Sequence, residues 1–112
     1  MNTLEEIKKS KIVAVIRLDD YEKASRAFDA LADGGINCLE IAFNMPFAKR
    51  LLREKIAKYG DKFLIGAGTV TDEATAAAAK RAGAKFILTP AVDEGVIGYC
   101  VKESLPVIPG VM

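Results

Sequence analysis

Five short apolar runs recur along the chain: KIVAVIR at 11–17, INCLEIAF at 36–43, KFLIGAG at 62–68, KFILTP at 85–90 and LPVIPG at 105–110. Each follows a stretch with helical patterning, and their starts lie roughly 20 to 27 residues apart, which suits a repeating βα unit. The joints between units carry one device twice. Helical ALADGG leads into INCLEI and helical AKRAGA into KFILTP, so Gly34, Gly35 and Gly83 stand where a helix stops in a left-handed residue. Helix starts are marked as well. Thr3 with Glu6 makes a capping-box pattern, Asp19 or Asp20 can cap a helix running through Phe28, and Thr71 can cap an alanine-rich helix to about Arg81. Pro46 stands where a first-turn proline opens the next helix.

The apolar runs are mostly unbroken, which predicts strands buried on both faces, as in a parallel sheet covered by helices. The expectation is an α/β fold in one domain, residues 1–112, with five parallel strands, four intervening helices and a leading one. No linker or low-complexity stretch divides it. The sequence stops at Met112, just after the fifth run. A doubly wound sheet normally returns a last helix there, and an eight-stranded barrel needs about 200 to 250 residues. The chain therefore reads as cut short.

Composition narrows the function. The 112 residues are 51% hydrophobic and 28% charged, with a net charge of +1, too little for the field that drives sequence-independent nucleic-acid binding. There is no histidine, the commonest metal ligand, so no metal is expected. Cys38 and Cys100 lie far apart, and Cys38 sits inside an apolar run, as reduced core thiols would. No stretch approaches the roughly 18 apolar residues of a membrane span. The amino-terminal segment has charges ahead of an apolar run, but Glu5, Glu6 and the β-branched residues mark a short helix feeding a strand, and residence in the cytoplasm is expected.

In βα proteins ligands bind beyond the carboxyl ends of the strands. Glu40 interrupts the second run. Strand alternation sets Cys38, Glu40 and Ala42 on one face and the bulky Leu39, Ile41 and Phe43 on the other, which turns Glu40 away from the helices. A carboxyl in apolar surroundings can act as a general acid or base near neutral pH, and it can equally be a buried partner of a core arginine or lysine. Arg17 ends the first run on the alternation of Val13 and Val15, where it can grip a carboxylate or phosphate, pair with Glu40, or stand in solvent. The third run opens into GAGTVT, with Gly66, Gly68, Thr69 and Thr71, a partial match to a dinucleotide loop whose third glycine position is Thr71. Pro90 and Pro109-Gly110 mark turns at strand ends.

KIVAVIR, GGINCLEIAF, IGAGTVT, GAKFILTP and PVIPGVM, in that order and spacing, closely resemble the 2-keto-3-deoxy-6-phosphogluconate (KDPG) and 2-keto-4-hydroxyglutarate (KHG) aldolase family over essentially the whole chain. The resemblance implies a (β/α)8 TIM barrel, of which this sequence is the amino-terminal five-strand portion. It also implies a class I aldolase that uses no cofactor and cleaves a 2-keto-3-deoxy sugar acid, or 2-keto-4-hydroxyglutarate, to pyruvate and an aldehyde. On this likeness Glu40 is the acid–base residue, Arg17 contacts the anionic groups of the substrate, Thr69 is the active-site threonine of GAGTV and Pro90 is the strand-four proline. Asn44 stands where several members carry an arginine for the substrate's carboxylate or phosphate, and LEIAFNMP is closer to the phosphogalactonate-type pattern. The family's Schiff-base lysine lies on a sixth strand, which this sequence does not include. Lys11, Lys62 and Lys85 fall at amino ends of strands, and Lys49, Lys55, Lys80 and Lys102 in helical patterns. A small keto-acid substrate and a homo-oligomer are the expected partners, with neither nucleic acid nor membrane. A non-catalytic half-barrel scaffold and a phosphate-binding βα module remain as other readings.

Overall fold

A computed structural model describes residues 3–110. Five helices and five strands alternate: α1 (Thr3–Ser10), β1 (Ala14–Ile16), α2 (Tyr21–Asp33), β2 (Cys38–Ala42), α3 (Ala48–Tyr59), β3 (Leu64–Gly68), α4 (Glu73–Arg81), β4 (Ile87–Thr89), α5 (Glu94–Lys102) and β5 (Val107–Pro109). All strand pairs are parallel and the spatial order is β1-β2-β3-β4-β5. Strands that neighbour in sequence also neighbour in space. This is the winding of a barrel segment, with no reversal of strand order of the kind a doubly wound sheet shows.

The core lies between sheet and helices. Leu39 and Ile41 of β2, Ile65 and Ala67 of β3 and Ile87 of β4 meet Phe28 of α2, Leu51 and Leu52 of α3, Ala76 and Ala79 of α4 and Val96 and Cys100 of α5. Each large aliphatic side chain taken out of water there contributes about 1.5–3 kcal/mol. The alanines of α4 keep that helix close to the sheet. Both cysteines are buried and free, as expected.

At the two glycine joints Gly35 at φ 98° and Gly83 at φ 108° are left-handed as the sequence predicts, whereas Gly34 is the C-cap of α2 at φ −80° and is not. The helix starts partly differ. Asp20 caps α2 by accepting from the Glu22 amide at 3.1 Å. The cap of α4 is Asp72, accepting from the Thr75 amide at 2.7 Å, one residue beyond Thr71. Its carboxylate serves the orphan amides of the first turn better than a neutral hydroxyl. Pro46 does not open α3, which starts at Ala48 behind Phe47 with no side-chain cap. Thr3 is already helical, and the cap position before it falls outside the described residues.

Burial on both faces holds for β2, whose five residues are all buried. It does not hold at the rims: Val15 of β1 is 49% exposed and β5 is only half-buried. Helices cover one face of the sheet, and β1 and β5 each have a single strand neighbour, so their residues on the other face meet water.

Candidate active site

The parallel register assembles the site row by row. Val15, Glu40 and Gly66 are partners across β1, β2 and β3, so they share the face away from the helices. One ladder step on, Ala42 pairs with Gly68, and Arg17, just beyond β1, continues the same row. Phe86 and Leu88 flank Ile87, which is partnered by Ala67 on the helix side, so alternation turns both toward the inner face.

Glu40 is 4% exposed, and its carboxyl lies over Gly68: a Cβ added to that glycine would come 1.4 Å from Glu40 Oε2. Burial pushes the Glu40 carboxyl above the usual glutamate range, and the positive charge of Arg17 only partly offsets it. Such a group can hold or release a proton nearer neutral pH than a solvated carboxylate.

Arg17 Nη2 donates to Thr69 Oγ1 at 2.7 Å. The guanidinium reaches over the end of β2, where the small Ala42 leaves room. Thr69 has φ 53°, a left-handed conformation that a β-branched residue rarely adopts. Holding it costs on the order of 1–3 kcal/mol. The kink ends β3 and presents the threonine hydroxyl to Arg17.

Glu40, Arg17 and Thr69 therefore come together, as the sequence led one to expect. Asn44 and Pro90 are exposed at the same end, in the segments after β2 and β4, and no side-chain hydrogen bond among the described residues ties either to the trio. Two features escaped sequence reasoning. The glycines of GAGTVT make room for protein side chains: Gly68 for Glu40, and Gly66 for the ring of Phe86, which a Cβ there would meet at 2.6 Å. Phe86 itself looked like ordinary core. What marks it is its place opposite Gly66, which the strand register supplies.

A phosphate at the start of α4 is disfavoured, because Asp72 already caps those amides and Glu73 adds a second negative charge. A broad concavity lies at the amino ends of the strands, with Lys9, Lys62 and Lys85 offset by Glu6 and Asp61. It contains none of the trio. The desolvated Glu40 carboxyl and the arginine whose charge acts on it lie at the opposite, carboxyl end. Among the described residues no group of three or more His, Cys, Asp or Glu could hold a metal ion, and no helix is long and apolar enough to cross a membrane.

A family model described as KDPG and KHG aldolase matches residues 4–112. The chain belongs to this aldolase family. The 2-dehydro-3-deoxy-phosphogluconate aldolase of Pseudomonas aeruginosa is 34% identical over 104 residues, which are 93% of this chain and 47% of that protein. The 2-dehydro-3-deoxy-6-phosphogalactonate aldolase of Escherichia coli is 33% identical over 102 residues, 91% of this chain and 50% of the relative. Among solved structures, the Legionella pneumophila KDPG aldolase with pyruvate captured as a covalent carbinolamine superposes with a TM-score of 0.80 at 33% identity, covering 88% of this chain and 48% of that one. The aldolase fold of these relatives is thus present in its five-strand portion. The chain spans about half the length of the relatives it matches.

Proposed function

We propose that this chain carries the acid–base half of a pyruvate-forming aldolase site, in which Glu40 moves the proton and Arg17 with Thr69 receives an anionic group of the keto acid. The observation that carries this reading is the desolvated Glu40 carboxyl over Gly68, under the charge of Arg17, at the carboxyl ends of parallel strands. In the retro-aldol direction a base takes the proton from the hydroxyl whose C–C bond breaks, and an acid returns one to the carbon that becomes the methyl of pyruvate. A carboxyl whose pKa is raised by burial can do both in turn. The guanidinium offers a planar pair of donors to a carboxylate or phosphate. Thr69 accepts from Arg17 and keeps its own proton free to donate. The substrate class is a phosphorylated 2-keto-3-deoxy sugar acid or 2-keto-4-hydroxyglutarate, with Asn44 and Pro90 at the rim that meets its distal end.

A carbinolamine requires an amine beside the acid–base residue. The lysines of this chain stand on helices α1 to α5 or at the amino ends of β1, β3 and β4, none beside Glu40. Pyruvate binding without covalent capture is therefore expected of these 112 residues. Saturation-transfer NMR with pyruvate should show saturable binding that Arg17→Ala abolishes, while borohydride treatment with pyruvate should leave the intact mass unchanged. Absence of binding would overturn the keto-acid site. A stoichiometric adduct would overturn the assignment of the amine to residues outside this chain. We also propose that the chain associates with copies of itself through its strand edges, and that it resides in the cytoplasm, where its buried free thiols stay reduced.

A further inference from the structure

We propose that Phe86 is a positioning residue for Glu40: its ring, laid over Gly66, fills the slot beside the glutamate in its own row and fixes the carboxyl over Gly68. Phe86 is fully buried, yet it stands outside the sheet–helix core that buries the other large side chains. What buries it is the inner face. The ring lies so close over Gly66 that an added Cβ would come within 2.6 Å of Phe86 Cγ, Cδ2 and Cε2. Gly66 is the direct partner of Glu40 in the ladder, so nothing but a bare Cα separates the strand of the ring from the strand of the carboxyl. Two strand spacings of about 4.8 Å are the distance that a phenyl group and a glutamate stem can close between them.

The two glycines divide the work. Gly68 makes room for the carboxyl, and Gly66 admits the ring that stops the stem from leaning the other way and keeps water from its lower side. A β-branched or larger residue at position 66 would expel the ring and leave the carboxyl free to tilt. The charged and polar groups around Glu40 among the described residues are few: Arg17 beyond β1, whose charge acts on it, and Cys38 two residues back on β2, with Ser10 and Glu6 of α1 beside that thiol. On β4, Phe86 and Leu88 bring no charge, and desolvation from that side is the ring's contribution.

The relevance to proton transfer rests on the aldolase reading, whereas the packing does not, so the test follows Glu40 in the unliganded chain. With 13C-labelled glutamate, the carboxyl resonance lost in Glu40→Gln is assigned to Glu40 and titrated. Phe86→Ala should bring its midpoint down toward the ordinary glutamate range, and Phe86→Leu should preserve most of the elevation. Arg17→Ala should move the midpoint the other way. In the unaltered chain, NOEs are expected between the Phe86 ring protons and the Glu40 side-chain methylenes. An unchanged midpoint in folded Phe86→Ala, or absence of those NOEs whatever the variants do, would overturn the proposal. Failure of pyruvate to bind while the titration behaves as described would instead count against the aldolase reading alone.

Discussion

Glu40 couples the chemistry of the site to the stability of the chain. Burial raises its carboxyl above the ordinary range, so the folded state prefers the protonated form more than the unfolded chain does. That preference stabilises the fold fully below the ordinary glutamate pKa and is lost as the pH rises through the elevated one. Glu40→Gln removes the ionisation while keeping the shape. Its Tm is expected to exceed that of the parent by several degrees at neutral pH, with the gain disappearing in acid, as calorimetry across pH would show. Equal differences at all pH values would mean that folding leaves the Glu40 pKa where the unfolded chain has it. At this scale the sequence was informative where a residue broke a pattern. A glutamate inside an apolar run and an arginine at a strand end announce themselves. Phe86 inside KFILTP does not, because its role depends on a glycine one strand away that only the register supplies.

Between elements, helix α2 is pinned to α3 by a partly buried polar cluster. Lys55 of α3 is 4% exposed and its Nζ donates to Ser25 Oγ at 2.8 Å and to Asp29 Oδ1 at 2.9 Å, while the Tyr59 hydroxyl donates to the same Asp29 oxygen at 2.8 Å. Burial opposes ionisation of Asp29, but the bonds from Lys55 and Tyr59 and the charges of Lys55 and Lys58 outweigh it and hold the carboxyl below its usual range. This contribution is present above the ordinary aspartate pKa and is lost as the pH falls through the lowered one, the reverse of Glu40. Asp29→Ala strands the buried ammonium on one hydroxyl, with an expected cost of about 2–4 kcal/mol in urea denaturation, the range reduced because Asp29 keeps partial solvent contact. Adding Lys55→Met should recover most of it, and failure to do so would show that the pair is not coupled. Strands and joints were legible as unbroken apolar runs and as glycines at φ near 100°. The start of α3 was not, since Pro46 offers a first-turn signal that the chain passes over and Phe47 offers no cap. Thr71 and Asp72 are both competent caps, and only the geometry of the turn chooses between them.

For the molecule as a whole, an open parallel sheet carries an apolar rim. Val15 of β1 is 49% exposed and Ile12 and Leu18, in the segments flanking that strand, are 60% and 39% exposed, while the backbone of β1 is paired on one side only. Natural sheets usually blunt such an edge. Light scattering should show the average mass of these 112 residues rising with concentration, and a monomer at every concentration would count against the proposed association. The winding of the sheet says what kind of growth to expect. Because all five strands run the same way, like edges would have to pair antiparallel, whereas continuing the ladder in parallel sets β5 of one copy onto β1 of the next, a head-to-tail contact in which each copy uses two different surfaces. Such a contact closes only if the accumulated rotation happens to complete a circle, and otherwise leaves an open end as receptive as the first. The assembly is then a step-growth polymer with a broad length distribution, and a single charged side chain introduced at Val15 would act as a chain terminator.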